Sequence, residues 1–270
     1  MWAAPQNLAE CHLLVAVPLY DGAQGPFLRS LLALTGVARA RELKLSVALL
    51  THQPSINRAR NSLMTSFHDG SYTHMLFVDG DIGFNADEVI GLVEAMLADQ
   101  ARAIIGAPCP KRLINWQTVA AAVQKGLAQD NPADLEKFAG DFAFELLDPL
   151  AQIALDRPVE LAKLGTGLML IRRDVAEVLR AAHPEYEYRP NPVERAASGL
   201  SETAHAFFQP MIEPDTQKLL SDDYAFCRRA RDAGFRIWLA PWMRTTHTGP
   251  ATFSGSLVDL ARLFPSSQTE

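Results

Sequence analysis

Met75-Leu-Phe-Val-Asp-Gly-Asp-Ile-Gly-Phe84 decides how this chain is read. Four apolar residues without a polar break predict a buried strand, and the glycine behind them predicts a turn at its end. Asp79 and Asp81 therefore fall at the strand's C-terminal edge, where open α/β sheets bind ligands. Two acids at such an edge attract a cation. A hard divalent ion, Mg²⁺ or Mn²⁺, takes oxygen ligands and keeps positions open for phosphate oxygens, so a nucleotide diphosphate is the natural third party. A solvated Asp-Gly-Asp turn is the competing reading, and the rest of the chain weighs between the two.

Working outward, strand and helix patterns alternate. Strands are predicted at 12–18, 45–50, 75–78 and 103–107, with helices at 27–42, 56–67 and 85–98 between them. The last of these helices has Asn85 at a capping position, Glu88 three residues on, and one apolar face of Val89, Leu92, Val93, Met96 and Leu97. Such alternation predicts an α/β fold, a Rossmann-like, doubly wound and mostly parallel sheet with its ligand across the strand ends. The second half is less regular. Residues 117–160, rich in Ala, Leu and acids, read as an inserted helical or extended segment. A strand is expected at 168–171, and five prolines between Pro184 and Pro214 suggest a long surface loop of the kind that serves as a substrate lid. A helix over 221–233 closes with Gly234, a strand follows at 235–239, and Thr246-His-Thr-Gly249 ends the fold. This divides residues 1–250 into a nucleotide-binding half (12–110), the insertion and an acceptor or catalytic half (161–250), with 251–270 as a tail.

Composition limits the function classes. The 270 residues suit one large domain, and 48% hydrophobic with 21% charged residues is globular rather than disordered. A net charge of −6 gives nucleic acid no electrostatic footing. Three scattered cysteines, Cys11, Cys109 and Cys227, suit free thiols in a reducing compartment. No apolar run approaches the roughly 18 residues of a membrane span, and the N-terminus lacks a signal peptide's basic opening, so a soluble, cytoplasmic protein is expected.

Three further motifs carry chemistry. Asn57-Arg-Ala-Arg-Asn61 opens a helix, and Arg60 and Asn61 with Asn57 add donors to the helix dipole, suited to a diphosphate or to a base and ribose. Arg58 and Arg60, two residues apart, cannot share a helical face. Gly165-Thr166-Gly167 before an apolar strand permits close backbone approach to a ligand, although a tight strand entry needs the same residues. Asp222 and Asp223 begin a helix, where a carboxylate is stabilised as a cap; this accounts for one of them and leaves the other for the cleft. Arg228-Arg229 reads as a solvated face.

Asp79-Gly-Asp81 behind a strand, Gly165-Thr-Gly-Leu-Met-Leu-Ile-Arg-Arg173, Ser221-Asp-Asp-Tyr-Ala-Phe-Cys-Arg-Arg229 and a late His247 follow one another as in GT-A-fold glycosyltransferases, and over roughly 12–250 the chain resembles the bacterial family-2-like enzymes. One departure is Asp222-Asp223 where that family commonly has Glu-Asp. The resemblance implies a GT-A-type sheet with an irregular C-terminal acceptor half. It also implies metal-dependent transfer of a sugar from a UDP- or GDP-sugar to a hydroxyl of a glycan, lipid-linked or other acceptor. Pro18, Leu19 and Tyr20 would hold the nucleotide base; Asp79 and Gly80 would lie against the ribose, Asp79 or the metal; Asp81 would bind Mn²⁺ or Mg²⁺. His247 would be a third metal or phosphate contact, and Gly165–Gly167 would line the sugar and acceptor pocket, where Trp238 offers an aromatic face. Asp223 would be the general base of an inverting transfer and Asp222 its supporting acid, with retention open because the fold supports both outcomes. Two rivals are a haloacid-dehalogenase-type phosphatase, whose Asp-x-Asp usually follows the first strand, and a non-catalytic nucleotide-sugar-binding module, which would need no Asp222-Asp223 pair.

Overall fold

A computed structural model describes residues 4–20, 22–200 and 202–250. The first half runs β1 (His12–Pro18), α1 (Gly25–Ala40), β2 (Lys44–Leu50), α2 (Ile56–Asp69), β3 (His74–Val78), β4 (Ile82–Phe84), α3 (Ala86–Ala98) and β5 (Ile104–Gly106). The second half adds α4 (Trp116–Gln124), β6 (Phe144–Leu146), β7 (Val159–Leu164), β8 (Leu168–Arg172) and α5 (Arg173–Ala182). It continues with β9 (Glu187–Tyr188), α6 (Pro192–Ser198), β10 (Ala204–His205), β11 (Met211–Ile212), β12 (Leu219–Leu220), α7 (Asp222–Asp232), β13 (Ile237–Leu239) and β14 (Thr245–His247). No described helix is long and apolar enough to cross a membrane.

Eight strands form the central sheet in the order β2-β1-β3-β8-β5-β13-β7-β6. β1 is parallel to β2 and β3, and β13 is parallel to β5. β8 wedges between β3 and β5 antiparallel to both, and β7 lies antiparallel to β13 and β6. All but β8 and β7 therefore point one way, and the sheet is mostly parallel as expected. Side chains alternate between two cores. Leu13, Val15, Val17, Leu76 and Val78 pack under α1 and α3, whereas Leu14, Ala16, Met75 and Phe77 pack under α2, α5 and α7. Strands buried on both faces read as unbroken apolar runs, which is why β3 and β8 were legible. The chain winds out from β1 to β2 and returns to β3, so its switch point lies between β1 and β3, with Leu19 and Asp79 at the C-terminal ends of those strands.

Three expectations change. Residues 82–84, given no element above, form β4, paired with β14, before Asn85 caps α3 by accepting from the amides of Asp87 and Glu88. The 117–160 region is more than an insertion, because β6 and the first residues of β7 extend the main sheet. Residues 184–214 are not an open surface loop. His205, Phe207 and Phe208 are buried in them, Phe208 stacks on Phe226 at 4.6 Å, and short strands and α6 anchor the segment on α2. The proposed tail, 251–270, lies outside the described residues.

Candidate active site

The switch point places the acids. Backbone bonds knit the loops: the Asp79 amide donates to the Gly167 carbonyl (3.1 Å), Gln24 to Gly80 (2.8 Å), Leu19 to Leu50 (2.8 Å) and Thr248 to Asp81 (2.9 Å). Leu19 is buried against Gly80, where a Cβ would lie 2.1 Å from its Cδ2, so the middle residue of the Asp-Gly-Asp turn has no room for a side chain. Tyr20 is exposed, and Pro18 completes the pairing of β1 with β2.

Arg60 is the centre of the cleft. Its side chain, 7% exposed, donates from Nη1 to Asp222 Oδ2 at 2.7 Å and from Nη2 to both Asp79 oxygens at 3.2 and 3.4 Å. One guanidinium thus joins the end of β3 to the start of α7. Burial disfavours its charge, but Asp79 and Asp222 outweigh that and keep its pKa raised; burial in turn pushes Asp79 up against the opposing pull of Arg60. Arg58, on the other helical face, pairs with the buried Glu194 at 2.8 Å, so the two arginines divide as their spacing requires. Asn61 serves the fold: its Oδ1 accepts from the Phe208 amide at 2.7 Å. Asn57 accepts from the Ser55 hydroxyl and the Arg58 amide and stands where two cavities meet, of about 400 Å³ beside Asp222 and about 590 Å³ beside Tyr186.

The two acids opening α7 differ. Asp222 is committed to Arg60. Asp223 Oδ1 takes the Ser221 hydroxyl and the Tyr224 amide (2.8 Å), and its Oδ2 lies 3.5 Å from where a Cβ on Gly165 would stand. Gly165 also abuts Ala143, and Gly167 abuts Cys109, so both glycines permit close packing; Thr166 between them is buried, its hydroxyl unpaired among the described residues.

Asp81 and His247 meet through the β4–β14 pairing, Asp81 Oδ2 standing 3.3 Å from His247 Nε2. His247 Nδ1 is 2.7 Å from the Pro110 carbonyl, an acceptor, and so carries the ring proton. Arg112, unnoticed in the sequence, donates from Nη2 to Asp81 Oδ2 and from Nε to His247 Nε2 at 2.8 Å. Burial raises the Asp81 pKa, but the adjacent His247 and Arg112 carry it below the ordinary value. Asp81 Oδ1 is buried without a partner among the described residues. Of the expected metal ligands, Asp81 and His247 converge, while Asp79 turns its oxygens to Arg60; the described residues hold no cluster of three His, Cys, Asp or Glu side chains set for an ion.

Two assignments fail on geometry. Trp238 donates to the Ala101 carbonyl (3.2 Å) and lies under Arg102, just before β5 begins, away from the strand ends that carry Asp79. Arg229 is no solvated residue; it is buried and donates to the carbonyls of Phe207 and Gln209.

No family model matches the sequence, and no curated protein does. Among solved structures the chain is similar to A197 from STIV, at 10% identity over 88% of this chain and 86% of that one, with a TM-score of 0.47. It is also similar to the catalytic domain of Drosophila beta1,4galactosyltransferase 7 in complex with xylobiose (12% identity, 93% and 79%, TM-score 0.40). A third is S. aureus TarS 1–349 in complex with UDP-GlcNAc (12%, 89% and 60%, TM-score 0.41). At these identities and scores the likenesses assign no activity, which rests on the side chains.

Proposed function

We propose that this chain is a glycosyltransferase that moves a sugar from a nucleotide-diphosphate sugar, with UDP or GDP as the nucleotide, to a hydroxyl of a glycan or lipid-linked acceptor. The observation that carries the reading is the Arg60 fork, which brings the Asp79-Gly-Asp81 turn and the Asp222-Asp223 pair to one cleft at the strand ends. Asp81 and His247 fit a hard divalent ion, since Asp81 keeps a buried oxygen unpartnered and the His247 proton on Nδ1 leaves the Nε2 lone pair facing the carboxylate. Mn²⁺ or Mg²⁺ held there, with Asp79 beside it, would neutralise charge on the departing diphosphate.

The chain's own groups divide the remaining work. Arg60 fixes the Asp222 carboxylate by a 2.7 Å hydrogen bond, and Asp222 keeps Arg60 in place. Asp223, whose Oδ2 faces the Gly165 turn, is the group free to take the proton of the acceptor hydroxyl as its oxygen displaces the nucleoside diphosphate from the anomeric carbon in one step, an inverting transfer. Pro18, Leu19 and Tyr20 offer the loop for the base, and the close-packed Gly165-Thr166-Gly167 turn a floor for the sugar. Transfer assays on Asp223→Asn test this. The variant keeps the cap acceptor, so folded protein, unchanged donor affinity and a fall in kcat of about 10² to 10⁴-fold are expected, with Asp222→Asn milder. Unimpaired turnover, or a product retaining the donor's anomeric configuration by NMR, would reject the mechanism.

A further inference from the structure

Asp81 Oδ2 and His247 Nε2 are two acceptors facing each other at 3.3 Å, an arrangement that repels unless a positive group lies against both. Arg112 is that group: Nη2 reaches the carboxylate and Nε the imidazole nitrogen. A bond from Arg112 Nε requires an unprotonated Nε2, which agrees with the proton on Nδ1 at Pro110. Arg112 reaches this position because it lies over Gly249, where a Cβ would come within 2.9 Å of its Cδ. Its side chain is about half exposed and makes no other ion pair among the described residues, so little else holds it there.

We propose that Arg112 is a built-in counter-cation that competes with a divalent ion for Asp81 and His247. The inference rests on the metal reading above and adds to it that the ion displaces a side chain instead of entering an open pair of ligands. A divalent ion draws on the same lone pairs, so one cation excludes the other, and the free energy of the Arg112 bonds is subtracted from that of ion binding. Competition of this kind makes ion uptake weak until something else engages the guanidinium, and the diphosphate of a donor is a suitable partner for its fork. Ion and donor then bind with positive coupling.

Mn²⁺ titration followed by electron paramagnetic resonance, with no nucleotide present, reads this without any assay of turnover. Arg112→Ala is expected to bind Mn²⁺ roughly tenfold tighter than the parent chain, the size of one charge-assisted hydrogen bond removed from the ion-free state. Gly249→Ala, which crowds Arg112 but keeps its charge, is expected to tighten binding in the same direction. Lys111→Ala removes the neighbouring charge, which pairs with Asp141, and is expected to leave Mn²⁺ affinity unchanged. Equal or weaker binding by Arg112→Ala, or an equal gain from Lys111→Ala, overturns the inference while the metal reading stands. Absence of any Mn²⁺ site that Asp81→Asn abolishes in the parent chain overturns both.

Discussion

Buried charge and buried neutral histidine act in opposite senses in this protein. Arg60 retains its charge because two carboxylates surround it, and removing Arg60 would leave both of them uncompensated, a loss of about 3–5 kcal/mol in comparable buried pairs. Among the described residues neither His74 nor His205 is hydrogen-bonded to a carboxylate; their rings meet the Thr73 hydroxyl and the His183 carbonyl. Burial pushes each down to about 4, and each leaves one ring nitrogen unpaired, Nε2 in His74 and Nδ1 in His205. Their ordinary value in the unfolded chain is 6.5. Between that value and about 4 the unfolded chain binds protons that the folded one refuses, so stability falls as pH falls through this window. At about 1.36 kcal/mol per pH unit each residue contributes up to about 3 kcal/mol of that loss. Urea unfolding at a series of pH values should show the decline, and His74→Gln and His205→Gln should each make it shallower by about one proton. An unchanged slope in both variants would show that neither group titrates this way.

Glycines separate packing from propensity within single elements. Gly106 ends β5 beside β8, and a Cβ there would stand 2.4 Å from the Leu168 carbonyl oxygen and 3.2 Å from Met169 Cα. Both are backbone atoms of a central strand and cannot turn aside. Gly106→Ala should therefore cost about 1–3 kcal/mol, the usual penalty of overpacking. Gly91, inside α3, has an ordinary helical backbone and open space, with nothing within 4 Å of where a Cβ would stand. Gly91→Ala should gain about 0.5–1 kcal/mol. Denaturant midpoints of the two variants should move in opposite directions. The helices that bear on the cleft were legible because periodicity and caps mark them: Asn85 before α3, Gly234 after α7. The pair β4 and β14 left no such mark. Each is three residues long, and each owes its existence to a partner in the opposite half of the chain.

At the scale of the molecule, residues 184–214 tie the site to the second core. Asn61 on α2 accepts from the Phe208 amide, Thr65 Oγ1 accepts from the His205 amide, and Arg229 on α7 donates to the carbonyls of Phe207 and Gln209. A segment bound from two helices should resist proteolysis without ligand, contrary to what its prolines suggest. Asn61→Ala leaves the Phe208 amide buried and unpaired, a cost of about 1–3 kcal/mol. Hydrogen exchange at that amide should accelerate with little change at β1 or β3; equal acceleration throughout would mean that the whole fold, and not this tether, had weakened.

The sequence by itself determined the alternation of strands and helices, the placing of Asp79 and Asp81 at a strand end, the start of α7 at Asp222 and the separation of Arg58 from Arg60. These follow from near-neighbour physics, since burial period, turn residues and capping are written within a few positions of each other. Only the tertiary structure decided that β8 runs antiparallel through the middle of the sheet, that Asn61 is a tether and Trp238 lies away from the cleft, and that Arg60 and Arg112 reach acids 162 and 31 positions away. Arg112 follows Pro-Cys-Pro-Lys and reads as any surface arginine. Its partners are chosen by where β4 and β14 bring Asp81 and His247, and strand order leaves no trace in local spacing.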